Sequence, residues 1–364
     1  MIEEESGTNA GLRAIGCSPV LAQRIDQCRA NVEGPTDPMR VVSVHRETLR
    51  LHDGRAEHTA RPLPRLTRQL LSSGGELAVG DWVLARRDDH CGLWAHARVE
   101  PLSHVARRDG DGRPHAVVSN VDTALLLMGL DDDFNLRRLE RFLALVQGSG
   151  VLPVAVLTKA DIAARTPLRQ EQCLEALRSR LGSSLHVLSV DARDAAAALA
   201  LQPYLAPGQT LVLLGSSGAG KSTLSNTLLG AAIQGTGAVR DSDQRGQHTT
   251  TSRHLLCLHG GACIIDTPGV RTLSPIGDDA ALGASFADIE ALRASCRFRD
   301  CRHLNEPGCA VRTGVDADRL GNYHKLLREV NRDTMSPLQR REQLFQWKAR
   351  GRAGHARLKA KRGE

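Results

Sequence analysis

Residues 211–222 read LVLLGSSGAGKS, an apolar run followed by the pattern G-x-x-x-x-G-K-S. The apolar run predicts a short buried strand, and the next residues, 223–229, predict a helix. In that setting, glycine-rich backbone can curl around phosphate oxygens and present its N–H groups to them. The stretch therefore predicts a strand, a phosphate-binding loop and a helix within an α/β domain.

The residue types of this loop assign separate roles. Backbone N–H groups would hold the α- and β-phosphates, Lys221 would reach the β- and γ-phosphates, and the Ser222 hydroxyl would bind Mg²⁺. The loop alone does not distinguish GTP from ATP. The phosphate contacts are expected from Gly215, Ser216, Ser217, Gly218, Ala219, Gly220, Lys221, Ser222 and Thr223.

A second motif, Asp266-Thr267-Pro268-Gly269, follows a predicted strand about 45 residues beyond Lys221. An acidic residue at the end of a strand beside the loop can hold Mg²⁺ through water, which is the role we predict for Asp266. The N–H of Gly269 would sense the γ-phosphate. The next residue is Val270, whose apolar side chain cannot orient water, so hydrolysis should be slow unless another group acts.

A third motif, Thr158-Lys159-Ala160-Asp161, lies upstream of the loop, after the predicted strand 151–157. The Asp161 carboxylate can accept hydrogen bonds from N1–H and the N2 amine of guanine, a pair of donors that adenine lacks. Lys159 would pack along the base, and Ser189 would add a backbone contact to the base carbonyl. Thr158 stands where asparagine is usual, which leaves the strictness of guanine selection open.

The segment 245–251, RGQHTTT, lies between the phosphate loop and Asp266. We predict that Thr250 completes the coordination of Mg²⁺, with Thr249 and Thr251 as alternatives. His248 is the nearest candidate to position the attacking water or to act as a base. The alternative is an arginine- and threonine-rich loop whose histidine contacts a partner or solvent.

A cluster of four metal-ligand residues falls within fourteen positions near the C-terminal end: Cys296, Cys301, His303 and Cys309. Three cysteines and one histidine fill all four positions of a structural zinc site and leave none for catalysis. The alternative is a helical loop with free cysteines. We expect one structural Zn²⁺.

Changes in residue composition and hydrophobic pattern divide the chain into four predicted parts. Residues 1–35 form an extension of unassigned role, and short alternating strands over 36–105 predict a β-barrel of the OB type. Alternating strands and helices over 106–275 predict a mostly parallel sheet, and 276–364 predict a helical zinc-binding domain with a basic tail.

The composition suits a protein with a polyanionic partner. The 364 residues carry a net charge of +7, and 41% are apolar, enough for real cores. No stretch approaches the ~20 apolar residues of a membrane span, and the acidic start lacks a signal core, which predicts a cytoplasmic protein. Barrel arginines and the basic tail would bind RNA phosphates, or would simply be solvated.

The ordered motifs resemble those of the circularly permuted, ribosome small-subunit-dependent GTPases, the RsgA/YjeQ family, over about residues 36–330. The resemblance implies an OB barrel, a permuted GTPase domain and a zinc domain. It also implies GTP hydrolysis with Mg²⁺, stimulated by the small ribosomal subunit late in its assembly, and binding of its rRNA through the barrel and the C-terminal domain. A monomer that contacts no membrane is expected.

Two other functions fit parts of the sequence. One is a kinase-like enzyme that uses the phosphate loop to act on a small molecule, which would have no need of a barrel or zinc module. The other is an RNA-binding protein with a vestigial nucleotide site, against which the intact Lys221, Ser222 and Asp266 argue.

Overall fold

The computed structural model describes residues 10–88, 92–108, 114–163, 169–182, 185–230, 253–267, 274–275 and 279–334. These residues form a closed barrel, a six-stranded sheet, a small three-stranded sheet and a C-terminal group of helices. Among them, no helix is both long and apolar enough to cross a bilayer.

The barrel consists of five short strands joined in the order β1-β2-β3-β5-β4, and β1 pairs with β4 to close it. A helix, α2, lies between β3 and β4. Inward-facing apolar residues from all five strands fill the interior, as expected for a small barrel. The elements are β1 (Asp37–Val44), β2 (Leu49–His52), β3 (Glu57–Pro62), α2 (Pro64–Ser72), β4 (Trp82–Arg87) and β5 (Leu93–Arg98).

The segment before the barrel contains a helical stretch over residues 10–14 and helix α1 (Pro19–Arg29). Ser18 caps α1 by accepting a hydrogen bond from the Leu21 N–H, and Pro19 occupies the first turn, where its missing N–H costs nothing. Apolar residues of the segment pack with Trp82 and Leu84 of β4. The extension thus adds its own packing layer to the barrel.

The central sheet has six strands in the order β10-β9-β8-β11-β13-β12, all parallel except β12. Apolar clusters cover both faces, as expected for a parallel sheet. Its strands are β8 (Thr123–Gly129), β9 (Leu152–Thr158), β10 (His186–Ser189), β11 (Thr210–Gly215), β12 (His254–Cys257) and β13 (Cys263–Asp266). Its helices are α3 (Leu136–Gln147), α4 (Ala160–Ala163), α5 (Arg169–Leu181), α6 (Ala196–Leu201) and α7 (Lys221–Leu229).

The two halves of this sheet come from separate stretches of the chain. Strands β8, β9 and β10 come first in sequence and form one half of the sheet, and β11, β12 and β13 form the other half. Because β8, β9, β10, β11 and β13 are parallel, their carboxyl ends all meet at one edge. The motifs 158–161 and 215–222, which follow β9 and β11, therefore lie at the same edge.

A three-stranded sheet, β14-β6-β7, connects the barrel to the central domain. It contains β6 (His104–Arg108), β7 (Pro114–Ser119) and β14 (Ser274–Pro275). The predicted strand 151–157 and the predicted helix 223–229 agree with β9 and α7 to within about two residues. Helix α2 and the β6–β7 hairpin were not predicted.

The described part of the C-terminal domain, residues 279–334, contains four helices: α8 (Asp279–Ser285), α9 (Ala287–Arg293), α10 (Ala310–Gly314) and α11 (Ala317–Thr334). Phe286 packs edge-on against Tyr323, with ring centroids 5.3 Å apart. Ala144 of α3 lies in the same apolar cluster. The C-terminal domain therefore packs directly on α3. The predicted basic tail beyond residue 334 lies outside the described residues.

A buried charge network joins α3 to the C-terminal domain. Glu140 of α3 is wholly buried, and its carboxylate accepts hydrogen bonds from Arg180 of α5 at 2.6 Å and from Arg319 of α11 at 2.6 Å. Asn322 donates a third hydrogen bond to it. Arg319 also forms a bidentate ion pair with Asp288, in which its Nε and Nη2 donate to the two carboxylate oxygens.

Candidate nucleotide and zinc sites

The phosphate loop lies between β11 and α7 at the carboxyl edge of the sheet. Gly218 and Gly220 have φ angles of 83° and 88°, a left-handed conformation that side chains with a Cβ adopt at a cost. A Cβ on Gly215 would lie 2.8 Å from the Leu127 carbonyl oxygen. These glycines let the backbone turn tightly at the start of α7, as the pattern predicts.

Lys221 folds back over this loop and is only 7% exposed. Its ammonium donates hydrogen bonds to the carbonyl oxygens of Gly215 at 2.9 Å and Ser216 at 2.7 Å. Burial lowers the pKa of Lys221, while the carboxylates of Asp266 and Asp133 act in the opposite direction. The ammonium is thus held inside the loop by neutral acceptors that an anionic phosphate can replace.

Asp266 ends β13, which pairs with β11 and places it level with Leu213. The buried Thr267 hydroxyl donates to the Leu213 carbonyl and anchors the chain just after Asp266. Ser222 lies in the first turn of α7, on the other side of Lys221. A carboxylate and a hydroxyl beside a phosphate loop are oxygen ligands, the type that Mg²⁺ prefers.

The base-binding motif is tied to the phosphate loop by Thr158. This residue ends β9, is wholly buried, and donates from its hydroxyl to the Ala219 carbonyl at 2.9 Å. Lys159 has a φ of 61°, and its ammonium pairs with Asp131 at 2.6 Å. Threonine at the first position therefore makes a bracing contact with the loop.

Asp161 lies in the first turn of α4, and its side chain is 24% exposed. Its Oδ2 accepts a hydrogen bond from Arg193 at 2.6 Å, and Arg193 also pairs with Asp191. The Ala160 N–H donates to the Val190 carbonyl, just after β10. The structure thus brings Thr158, Lys159, Ala160, Asp161 and Ser189 to the same sheet edge as the phosphate loop.

Sequence reasoning missed two acidic residues and one arginine at this edge. Asp133, in the loop after β8, accepts from the Ser216 hydroxyl at 2.6 Å and pairs with Arg138 of α3 at 2.7 Å. Asp131 forms an ion pair with Lys159, and Arg193 forms an ion pair with Asp161. The acidic run 131–133 directly follows a buried strand, and that position at the carboxyl edge was the available signal.

Three predicted site residues, His248, Thr250 and Gly269, lie outside the described residues, as does the whole segment 245–251. Their roles remain predictions from the sequence.

The four predicted zinc ligands converge in the C-terminal domain, with all ligand atoms within 4.8 Å of one another. His303 Nδ1 lies 3.6 Å from Cys296 Sγ and 3.4 Å from Cys309 Sγ, and these two sulfurs are 4.0 Å apart. Tetrahedral zinc with Zn–S of about 2.3 Å and Zn–N of about 2.0 Å spaces its ligand atoms about 3.5–3.8 Å apart. Together with Cys301, the set fits one Zn²⁺.

Backbone N–H groups stabilise the metal-binding form of this cluster and the loop that carries its histidine. N–H groups of Val311 and Ala310 at the start of α10 lower the pKa of Cys296, which favours the thiolate that a metal requires. The Glu306 carboxylate accepts from the N–H groups of Arg302 at 3.0 Å and Leu304 at 2.8 Å. It therefore fixes the loop on both sides of the histidine ligand.

Replacing Cys301 with serine is expected to remove bound zinc, because a closed site loses one of its four ligands. Purified protein should contain about one zinc per chain, and the variant close to none by elemental analysis. Cys28→Ser, which removes a half-buried thiol far from the cluster, is the matched control. Equal zinc in all three proteins would contradict the assignment.

Comparison with known proteins places these sites in a family. A family model described as RsgA GTPase matches residues 99–275. Small ribosomal subunit biogenesis GTPases RsgA of Xanthomonas oryzae pv. oryzae and Xanthomonas campestris pv. campestris are each 44% identical over 301 residues, covering 80% of this chain and 80% of theirs. The chain belongs to the RsgA GTPase family. The resemblance inferred from the motif order is confirmed.

Solved structures agree with the RsgA assignment at the level of fold. YjeQ from Thermotoga maritima superposes with a TM-score of 0.59 at 21% identity, covering 81% of this chain and 99% of that one. YloQ, a circularly permuted GTPase, gives 0.53 at 22% identity, covering 83% and 97%. The predicted combination of a barrel, a permuted α/β domain and a C-terminal zinc-ligand cluster is the fold observed in this RsgA protein.

Proposed function

We propose that this protein hydrolyses GTP while bound to the small ribosomal subunit, late in the assembly of that subunit. The observation that carries the proposal is the convergence of the base-binding motif 158–161, the phosphate loop 215–222 and Asp266 on one sheet edge. Relatives that are 44% identical bear the name small ribosomal subunit biogenesis GTPase RsgA, which supports the subunit as partner.

Each described site residue has a role in this proposal. Asp161 selects guanine with its carboxylate, and Lys159 packs along the base. Ser189, at the end of β10, adds a backbone contact to the base carbonyl. Lys221 turns from the loop carbonyls to the β- and γ-phosphates, where its charge is neutralised. Ser222 and Asp266 hold Mg²⁺, which shields the phosphate oxygens when the nucleotide is bound.

Residues from the sequence motifs complete this proposal. Thr250 joins the Mg²⁺ ligands, Gly269 senses the γ-phosphate, and His248 positions the attacking water. Val270 replaces the usual glutamine, so the free protein should hydrolyse GTP slowly. Binding to the small subunit would then supply or order the group that activates water.

The barrel and the zinc domain are the proposed rRNA-binding surfaces. Exposed arginines on and beside the barrel strands include Arg61, Arg65, Arg68 and Arg87, which can contact phosphates without reading sequence. A partner of this kind implies a cytoplasmic protein. We propose that it acts there as a monomer and without membrane contact.

The test is hydrolysis of GTP and of ATP, each measured alone and with isolated small or large ribosomal subunits. We expect small subunits to raise the turnover of GTP by at least about tenfold, because their binding would supply or order the group that activates the attacking water. Large subunits and ATP should give no such rise. A His248→Ala variant with unchanged stimulated turnover would remove the role proposed for that histidine.

Other outcomes distinguish the competing functions. Equal use of ATP and GTP without stimulation would favour an enzyme acting on a small molecule. Tight binding to small subunits without turnover would favour an RNA-binding protein. Either result would overturn the proposal.

A further inference from the structure

Two cysteines face each other across the β12–β13 hairpin, away from the zinc cluster. Cys257 and Cys263 are register partners, and their sulfurs are 3.9 Å apart. We propose that this pair is a redox-modification site, in which hydrogen peroxide converts the two thiols into a reversible disulfide. Neither residue has a part in the nucleotide or zinc sites.

The strand geometry permits the bond. The neighbouring pair, Leu258 and Ala262, is hydrogen-bonded at 2.8 Å, and the Cys263 N–H donates to Gln209 on the other side. The cysteines therefore occupy a non-hydrogen-bonded position, where Cα atoms lie about 4.5 Å apart. That separation is within the range of about 4.4–6.8 Å found in disulfides. Side-chain rotation can then bring the sulfurs into bonding distance.

A buried guanidinium lies against this pair. Arg40 is wholly buried and donates hydrogen bonds to the carbonyls of Ile15 and Asn120, and its positive charge lowers the pKa of both cysteines. Its Nε has no hydrogen-bond partner among the described residues. A buried cation favours anions beside it, because burying an unpaired charge is costly, and the Asp122 carboxylate is one such neighbour of Arg40.

Of the two thiols, Cys263 ionises more readily, because its pKa is lowered whereas the pKa of Cys257 is raised. The hydrogen bond that joins the two thiols is the largest influence lowering the pKa of Cys263, and Arg40 acts in the same direction. Burial and the nearby Asp122 oppose them. Thiolates rather than thiols react with peroxide, so Cys263 is the nucleophile and Cys257 the resolving thiol.

The reaction balances with one molecule of peroxide. The Cys263 thiolate attacks one peroxide oxygen, an S–O bond forms, the O–O bond breaks, and hydroxide leaves. That hydroxide takes the proton of Cys257 and becomes water. The Cys257 thiolate then attacks the sulfenic sulfur of Cys263, the S–S bond forms, and a second hydroxide leaves. Both sulfurs are oxidised, and peroxide is reduced.

Access favours a small oxidant. Cys257 is half-buried and Cys263 is fully buried, so peroxide can reach them more readily than a bulky reagent. The disulfide would cross-link β12, which follows the segment 231–252, to β13, which ends at Asp266.

The experiment treats the full-length, zinc-loaded protein with hydrogen peroxide and maps cross-links by peptide mass spectrometry. We expect loss of two thiols per chain, a Cys257–Cys263 cross-link, and recovery of both thiols with dithiothreitol. Cys28→Ser, the matched control, should form the same cross-link. Oxidation that goes to the zinc ligands alone, or to sulfinic acid at Cys257 without a cross-link, would overturn the proposal.

A trapping experiment tests the order of the two steps. In Cys257→Ser the resolving thiol is gone, so sulfenic acid should accumulate at Cys263 and be labelled by dimedone. In Cys263→Ala little label should appear at Cys257. Equal labelling in the two variants would refute Cys263 as the nucleophile. Neither experiment uses GTP, so the result is independent of the proposed function.

Discussion

Replacing Lys221 with methionine is expected to weaken GTP binding by about two to four orders of magnitude, because an ammonium that pairs with phosphates in a buried loop is worth about 3–5 kcal/mol. Methionine keeps most of the apolar stem of a side chain that is 7% exposed. Burial already lowers the pKa of this lysine, so removing the charge should not destabilise the nucleotide-free protein. Binding of a fluorescent GTP analogue and thermal unfolding measure the two effects.

The matched control for this prediction is Lys325→Met on α11, an exposed lysine outside the nucleotide site. It should leave the affinity for GTP unchanged. If Lys221→Met bound GTP within about threefold of the unaltered protein, the ammonium would not contact phosphates. A large drop in its unfolding temperature would instead indicate that the loop carbonyls of Gly215 and Ser216 depend on the ammonium for stability.

Replacing Glu140 with alanine is expected to lower the free energy of unfolding by about 3–5 kcal/mol, because two buried guanidinium groups lose their shared carboxylate. Arg180 and Arg319 would both remain buried, with fewer acceptors. The contact between α3 and the C-terminal domain should weaken most. Urea unfolding measures the loss, and limited proteolysis should show earlier cleavage between the two domains.

An exposed ion pair on the same boundary offers a control. Arg137 pairs with Asp318, with exposed fractions of 58% and 41%, so Arg137→Ala should lower the free energy of unfolding far less than Glu140→Ala. Glu140→Gln separates charge from packing, because the amide keeps the volume of the side chain. If Glu140→Ala destabilised the protein no more than Arg137→Ala, the buried network would not hold the domains together.

Local patterns predicted the parts of the site that depend on local sequence. The phosphate loop is contiguous in sequence, an apolar run precedes it, and a helical segment follows it. The strand and helix over residues 211–229 were therefore predicted correctly. The four zinc ligands fall within fourteen residues, and their spacing alone indicated a cluster. Parallel strands then brought Thr158, Asp161 and Asp266 to one edge, as the motif order required.

Residues that act through distant contacts were not predictable in the same way. Glu140 occupies a polar position on a helix with an apolar stripe, which ordinarily means a solvated face, yet the C-terminal domain covers it. Arg40 belongs to a barrel strand, and its acceptors come from residues 15 and 120. Thr158 departs from the usual asparagine, and only the fold reveals its hydroxyl on the Ala219 carbonyl.

Strand β8 has a further consequence for how the chain is made. In the finished sheet it lies between β9 and β11, and all seven of its residues are buried. The ribosome synthesises β9 and β10 before β11, so a growing chain that ends at Ser189 can hold β8 only as an edge strand with unpaired backbone groups. An exposed apolar edge can pair with other chains. Synthesis of residues 158–215 is therefore the interval in which this permuted domain is most prone to aggregate.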